Sequence, residues 1–334
     1  MPRPALRSGT LRLACTLLAL GALSGCSSLG LFLSPELSIS SSLKAKSDGF
    51  PVSLAQVAGA SFPSNVQIGE RVYSLFYWSQ GQRVQGYLDV PPGKGPFPLL
   101  VDLHGGWIFS QPLPFGQSSA HSNLVPWSEA DAENFAWSSF IVFFPNYAGY
   151  GPSYGPIGNV HSNYVDVING LTALGHLRGL HIKFRATYLL GTSMGGAVAM
   201  MVAGHDEQVR AVALDSPYPG DIQFMKWLLQ SKSTLNATDS GYLGSFLYRP
   251  GYGTDLSSAK YRENSFPYQL ADIPILIIGG NNDPILPPSL MQTMYQHLKQ
   301  YDSNVQLQFF PGGHAPSSPS IDNTVMDWLY SQGL

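Results

Sequence analysis

The chain has 334 residues, of which 44% are hydrophobic and 12% are charged, and its formal net charge is −3. A chain of this length can bury one substantial core, so a single domain of roughly 250 residues behind a short leader is expected. The low charge density excludes the basic stripe that binding to a nucleic acid backbone requires.

The first 25 residues have the pattern of a bacterial lipoprotein signal peptide. Three arginines precede an apolar run, Leu13 to Leu23, that is too short to span a bilayer as a stable helix. The run ends in Leu23-Ser24-Gly25-Cys26, which resembles a lipobox and predicts cleavage before Cys26 and acylation of its sulfur. Ser27, in place of an aspartate, favours the outer membrane of the cell envelope if the source has one. The alternative is an ordinary secretory peptide with a chance cysteine.

The segment after the leader lacks a sustained apolar period. Residues 26–65 are rich in serine, glycine and proline, which predicts a flexible tether. Because Cys15 lies in the removed leader, no disulfide is predicted. The folded domain is expected over residues 66–334, and it opens with an antiparallel hairpin of strands at Val72–Tyr77 and Val84–Val90.

Short apolar runs then alternate with helical stretches, which is the pattern of a parallel sheet. This alternation predicts an α/β fold with a mostly parallel sheet and helices on both faces. The aromatic segment 217–268 interrupts the alternation and is predicted to be a small cap insertion, whose aromatic residues form either a cap core or the lining of an acyl pocket. Strands are predicted at Pro98–Leu103, Phe140–Phe144, Tyr188–Leu190, Val209–Leu214, Ile275–Ile278 and Val305–Phe310. Helices are predicted at Val165–Leu177, Gly195–Ala203 and Ser289–Gln300.

One segment carries a nucleophile pattern. Gly191-Thr192-Ser193-Met194-Gly195 matches G-x-S-x-G between an apolar strand and a helix of small residues. A serine on such a sharp turn takes strained backbone dihedrals, and the flanking glycines let neighbouring elements approach closely. The motif alone is weak, but its strand-turn-helix setting predicts that Ser193 is a nucleophile. The alternative is a serine that only caps the helix.

Asp283 and His314 each follow a later strand, where a parallel sheet gathers its carboxyl ends. The chain order Ser, Asp, His is that of α/β-hydrolases. His314 is therefore predicted to be the general base and Asp283 the acid that orients it. Asp215 also ends a strand and is the rival for the acid. Asp283 is preferred because it follows the later strand.

The oxyanion formed by such a nucleophile needs backbone donors. The amide of Met194, directly after the nucleophile, is one predicted donor, and the amide of Gly106 or Trp107 is the other. His104 opens the same turn and is interpreted as structural. The remaining histidines lack metal-ligand spacing, so no metal site and no cofactor are predicted.

The strand-end segments named above, together with the turn Asn146 to Gly151, resemble the catalytic domain of the prolyl oligopeptidase (S9) family over about residues 70–334. The resemblance implies a serine hydrolase with Ser, Asp and His at strand ends, and Ala148 stands where the family usually has arginine. No β-propeller is expected before the domain, and isolated S9-like domains are often esterases. The matching segments are His104-Gly105-Gly106, Asn146 to Gly151, Gly191 to Gly196, Asn282-Asp283-Pro284 and Gly313-His314.

The sequence thus predicts an enzyme that cleaves a carboxylic ester, or a small peptide, through an acyl-Ser193 intermediate. Its alternatives are an S9-type peptidase on short peptides, acyl transfer to an alcohol, and a non-catalytic envelope lipoprotein that retains a hydrolase scaffold. The expected partners are a small ester or peptide substrate and a membrane reached through Cys26, with no nucleic acid.

Overall fold

The computed structural model describes residues 37–39, 47–56, 71–91, 94–110, 140–180, 182–268, 270, 272–301 and 304–333. The predicted signal peptide, Cys26 and much of the predicted tether lie outside the described residues. Within the described ranges, no helix is both long enough and apolar enough to cross a membrane.

The described elements form one large sheet, a two-stranded sheet and the helices around them. The strands are β1 (Ser38–Ile39), β2 (Pro51–Gln56), β3 (Arg71–Ser79), β4 (Gln82–Val90), β5 (Phe97–Leu103), β6 (Ile141–Pro145), β7 (Leu177–Arg178), β8 (Ile182–Thr192), β9 (Val209–Asp215), β10 (Ile275–Gly280) and β11 (Val305–Phe310). The helices are α1 (Val160–Gly175), α2 (Met194–Ala203), α3 (Asp221–Gln230), α4 (Ala237–Tyr248), α5 (Ala259–Glu263), α6 (Pro288–Leu298) and α7 (Pro319–Ser331).

The nine-stranded sheet has the order β11-β10-β9-β8-β5-β6-β4-β3-β2. From β11 to β6 neighbouring strands are parallel, and from β6 to β2 they are antiparallel. Every residue of β6 and of β10 is buried, as parallel strands covered on both faces require. This architecture confirms the predicted α/β fold with a mostly parallel sheet.

The two faces of the sheet carry separate cores, because successive side chains of a strand point to opposite faces. Leu99 and Val101 of β5 belong to the core that also contains buried residues of α1, α2 and α6. Leu100, between them, belongs to the core that contains Ile321 and Leu329 of α7. Helices therefore cover both faces, as predicted.

Two elements differ from the sequence expectation. The predicted tether is wrong for residues 51–56, since β2 pairs antiparallel with β3 at the edge of the sheet. Its apolar alternation is weak because serine, alanine and glutamine occupy the exposed positions. Helix α7 is not predicted, although Ser318 accepts the Ile321 amide as an N-cap and Pro319 occupies the first turn.

The segment 217–268 is built from α3, α4 and α5. Phe224, Phe246 and Tyr261 have no exposed surface, and their rings contact other rings of the same segment. These rings therefore pack against one another within the segment, and they belong to the same hydrophobic core as Leu99 and Val101 of β5. The insertion also contacts loops at the carboxyl edge of the sheet, since Asn236 Nδ2 donates to the Pro284 carbonyl at 3.2 Å.

Candidate active site

Ser193 connects β8 to α2 in a strained turn. Its φ of 54° and ψ of −121° lie where residues other than glycine are rare. The Ser193 amide donates to the Asp215 carbonyl at 2.9 Å, and the Ser193 carbonyl accepts from the amides of Gly196 at 2.9 Å and Tyr218 at 2.8 Å. Main-chain hydrogen bonds therefore hold the strained residue on both sides, as the predicted nucleophile turn requires.

The glycines of the motif are needed for close contacts. A Cβ atom on Gly195 would lie 1.9 Å from the carbonyl oxygen of Leu103, at the end of β5. A Cβ atom on Gly105 would lie 3.0 Å from Ser193 Cβ and 3.6 Å from Ser193 Oγ. The loop after β5 therefore runs directly beside the serine side chain.

The structure brings His314 together with Asp283. His314 Nδ1 lies 2.8 Å from Asp283 Oδ2, while Asp283 Oδ1 accepts the amides of Ile285 at 2.8 Å and Leu286 at 2.9 Å. Burial alone would raise the pKa of Asp283, but the hydrogen bonds from His314, Leu286 and Ile285 outweigh burial and hold this pKa below its ordinary value. Asp283 is therefore an anion that accepts hydrogen bonds.

Asp215, the rival for the acid, lies at the end of β9. In the sheet it pairs with Thr192 of β8 and with Ile278 of β10. Burial raises the pKa of Asp215 to about 7, against the lowering effects of Ser216 and His314. The carboxylate hydrogen-bonded to His314 is that of Asp283, so the geometry favours Asp283 as the acid.

Met194, the first predicted oxyanion donor, is fully buried and begins α2. The amide groups at the start of a helix carry a positive potential that favours a nearby anion. Asn163 Nδ2 donates to Met194 Sδ at 3.0 Å, so a side chain of α1 contacts this residue from behind. No local signal in the sequence indicates the contact.

The second predicted donor lies in the loop after β5. The Trp107 amide donates to the Tyr150 hydroxyl at 2.9 Å, and a Cβ atom on Gly106 would lie 2.3 Å from the same oxygen. Because Tyr150 already accepts the Trp107 hydrogen, the geometry argues against Trp107 and leaves the Gly106 amide as the second predicted donor. The Trp107 side chain is 48% exposed.

Aromatic side chains of the turn Asn146 to Gly151 hold the start of this loop. The ring of His104 lies 4.2 Å from that of Tyr147 and 4.9 Å from that of Tyr150, measured between centroids. Burial lowers the pKa of His104 to about 4, and its Nδ1 donates to the Gly105 carbonyl. His104 is therefore neutral and serves the loop conformation, in agreement with its structural interpretation.

The described part of the loop ends at Ser110, where it contacts the segment 217–268, the predicted cap. Phe109 packs edge-on against Phe246 at 4.9 Å and Tyr252 at 5.5 Å between ring centroids. The Arg249 guanidinium lies 4.4 Å above the Phe109 ring, and Arg249 Nη1 donates to the Ser110 carbonyl at 3.5 Å. The cap therefore contacts the same loop that runs beside Ser193.

The turn that carries Tyr147 and Tyr150 is supported by a buried carboxyl of α1. Asp166 Oδ2 accepts the Ala148 amide at 2.7 Å, and Oδ1 accepts the Ser79 hydroxyl at 2.5 Å. Burial raises the pKa of Asp166 to about 6, although these hydrogen bonds lower it. Ala148, the departure from the S9 pattern, thus contributes its main-chain amide to this turn.

The arrangement combines a strained serine, a histidine bonded to a buried carboxylate, and main-chain amides at a helix start. These are the components of nucleophilic catalysis at a carbonyl. Among the described residues, no group of three or more His, Cys, Asp or Glu side chains could hold a metal ion.

The family model described as "Alpha/beta hydrolase family" matches residues 99–322 of this chain. The match spans more than half of the chain, so the chain belongs to the alpha/beta hydrolase family. The nucleophile turn and the histidine–aspartate pair both lie within the matched residues.

Individual relatives are distant. The uncharacterized protein YfhR of Escherichia coli is 24% identical over 246 residues, which cover 69% of this chain and 72% of YfhR. The cell wall degrading esterase LipA from Xanthomonas oryzae is 18% identical with a TM-score of 0.58, over 86% of this chain and all of LipA. An acetyl xylan esterase from Paenibacillus sp. R4 is 16% identical with a TM-score of 0.60, over 84% of this chain and 88% of that esterase. These matches show the shared fold, and they leave the resemblance to the S9 family a prediction.

Proposed function

We propose that the protein is a serine esterase that hydrolyses a carboxylic ester through an acyl-Ser193 intermediate. The observation that carries the proposal is the hydrogen bond of 2.8 Å between His314 and a buried, ionised Asp283, at the sheet edge where Ser193 occupies a strained turn. An esterase is preferred to a peptidase because structural neighbours of this family member are esterases.

In the proposed reaction, neutral His314 takes the hydroxyl proton of Ser193 as Ser193 Oγ attacks the ester carbonyl. Asp283 stabilises the resulting imidazolium, and the amides of Met194 and Gly106 donate to the oxyanion. The tetrahedral intermediate expels the alcohol, which takes the proton from His314. A water molecule, deprotonated by His314, then attacks the acyl-enzyme, and His314 returns this proton to Ser193 Oγ as the carboxylic acid leaves.

Labelling with a fluorophosphonate probe tests the nucleophile. Wild-type protein is expected to be labelled, and Ser193→Ala is expected to lose the label because the probe reacts with the activated nucleophile that this change removes. Ser320→Ala, an exposed serine of α7, is the matched control and should label as wild type does. Folded wild-type protein that takes no label would instead support the non-catalytic alternative.

Substrate class is tested with p-nitrophenyl esters of increasing acyl length, measured beside aminoacyl nitroanilides. The proposal expects the larger kcat/KM on the esters. A larger kcat/KM on the anilides would overturn it and favour the S9-type peptidase. Product analysis in the presence of an alcohol separates hydrolysis from acyl transfer.

We also propose that Cys26 anchors the enzyme to a membrane of the cell envelope through a lipid. The support is the lipobox-like Leu23-Ser24-Gly25-Cys26 after a short apolar run. Palmitate labelling of wild-type protein together with globomycin-sensitive processing, and no palmitate label in Cys26→Ala, is the expected result. A palmitate label that survives Cys26→Ala would contradict the anchor.

A further inference from the structure

Strand β9 lies between the strand that leads to Ser193 and the strand that leads to Asp283. Its last residue, Asp215, pairs with Thr192 on one side and with Ile278 on the other. The Asp215 carbonyl accepts the Ser193 amide at 2.9 Å. A second carboxyl-bearing residue, besides Asp283, thus lies inside the candidate site, and the proposed reaction does not use its side chain.

Ser216 connects Asp215 to the histidine loop. Ser216 has no exposed surface and a φ of 44°, and its amide donates to the Ile278 carbonyl at 2.8 Å. Its Oγ accepts the amide of Ala315 at 3.0 Å, and its side chain lowers the pKa of the Asp215 carboxyl. Ala315, directly after His314, has a φ of 49°. Strained residues of this kind persist where the surrounding contacts hold them in place.

The Asp215 carboxyl lacks a hydrogen-bond partner on one of its two oxygens. Its Oδ1 atom is buried without a hydrogen-bond partner, which disfavours the ionised form. Burial raises the pKa of Asp215 to about 7. The pKa is lowered by Ser216 and by His314, and it is raised further by Asp283 and by Asp322 of α7. The pKa values of these two neighbouring carboxyls are thus shifted in opposite directions, a pattern typical of catalytic centres.

We propose that Asp215 is a second carboxyl of the catalytic centre, which acts on His314 through its negative charge and through Ser216. An anion near an imidazole favours the imidazolium, the form that His314 takes as Ser193 loses its proton. Asp215 contacts no reacting atom, so it is a positioning residue. This inference rests on the proposed esterase function of the same site.

The first test is the pH dependence of kcat/KM on a p-nitrophenyl ester. Asp215→Asn keeps the shape of the side chain, and its kcat/KM is expected to be about equal to that of wild type near pH 5.5. At pH 8.5 it should be about three- to tenfold lower, because only the ionised carboxyl supports His314. The matched control is Glu207→Gln, which removes one exposed negative charge before the other end of β9 and should track wild type at every pH.

A second readout does not depend on turnover. The downfield imidazole signal of His314 in proton NMR of the full chain, assigned by its loss in His314→Gln, should titrate at lower pH in Asp215→Asn than in wild type. In Ser216→Ala, kcat should fall with little change in KM. A loss of rate in Asp215→Asn that is equal at all pH values, or an unchanged imidazole titration, would overturn the inference.

The failure of this inference differs from the failure of the proposed function. If wild-type protein takes no fluorophosphonate label and cleaves no ester, the esterase proposal fails, whereas the imidazole titration still reports whether Asp215 acts on His314. If labelling and ester cleavage are normal and Asp215→Asn matches wild type at every pH, only the proposed role of Asp215 is contradicted.

Discussion

The two sides of the candidate site are held by different kinds of contact. Around Ser193 and His314, main-chain hydrogen bonds and glycine contacts fix the turns, as at Gly195 against the Leu103 carbonyl. The described part of the loop after β5 is instead held by side chains, among them the Tyr150 hydroxyl beside Trp107 and the rings of the predicted cap around Phe109. An added Cβ atom at Gly195 would meet main-chain atoms, whereas the loop depends on single hydroxyl groups and rings.

The largest effect is expected on the main-chain side, from Asp283→Asn. The variant keeps the shape of the side chain but removes the charge that orients His314, so kcat should fall by about 10³- to 10⁴-fold. Steady-state kinetics on a p-nitrophenyl ester measure the loss. Asp283→Asn with more than a tenth of the wild-type kcat would show that another acid supports His314.

The second largest effect is expected from Gly195→Ala, which should lower the free energy of unfolding. Its Cβ atom would lie 1.9 Å from the Leu103 carbonyl oxygen, and such overpacking costs about 1–3 kcal/mol or more of unfolding free energy. Urea unfolding measures the cost. Gly241→Ala in α4 is the matched control, because a Cβ atom there meets no atom within 4 Å and alanine favours a helix by about 1 kcal/mol. Equal stability of the two variants would contradict the close contact.

The carboxyls beside the loop after β5 and in the predicted cap should make the free energy of unfolding depend on pH. Burial raises the pKa of Asp166 to about 6 and that of Asp221, in the cap, to about 7. A carboxyl whose pKa is raised by folding stabilises the protein below its unfolded pKa, and the contribution is lost as pH rises through the folded pKa. Unfolding free energy should therefore fall by about 1–3 kcal/mol between pH 5 and pH 8. Urea unfolding of Asp221→Asn should show a smaller fall in unfolding free energy over this pH range. A fall as large as that of wild type would show that other groups cause it.

The smallest effect is expected from Tyr150→Phe on the side-chain side. Loss of the acceptor for the Trp107 amide should lower kcat about tenfold with little change in KM, because the loop that carries the predicted Gly106 donor is freed. Tyr301→Phe, an exposed tyrosine, is the control and should leave both constants unchanged. A change confined to KM in Tyr150→Phe would place Tyr150 in substrate binding instead.

The same contrast explains what the sequence could predict. Most strands of the sheet and the turn at Ser193 follow from local patterns, because apolar runs and the G-x-S-x-G spacing are read within a few residues. The contact of Tyr150 with Trp107 joins residues 43 positions apart, and that of Asp166 with Ser79 joins residues 87 apart. No periodicity links such pairs. The edge strand β2 is missed for another reason, because its apolar alternation is weak.

Helix α7 is a different case, because its signals are local. Ser318 and Pro319 mark its start, and the buried residues Ile321, Val325, Trp328 and Leu329 recur at helical spacing. The sequence therefore contains enough local signal to predict this helix. The choice between Asp283 and Asp215 needed the structure, because both residues end strands and only coordinates show which carboxylate meets His314.

The contact of Arg249 and Phe109 has a thermodynamic consequence. Because Arg249 of the predicted cap contacts Phe109 and Ser110, movement of the cap would remove one of the two sets of side-chain contacts on the loop beside Ser193. The sheet and the histidine–aspartate pair would keep their own contacts, while only the contacts of Tyr147 and Tyr150 would still hold the loop. On heating, catalytic activity should therefore decay at a lower temperature than the secondary structure of the sheet.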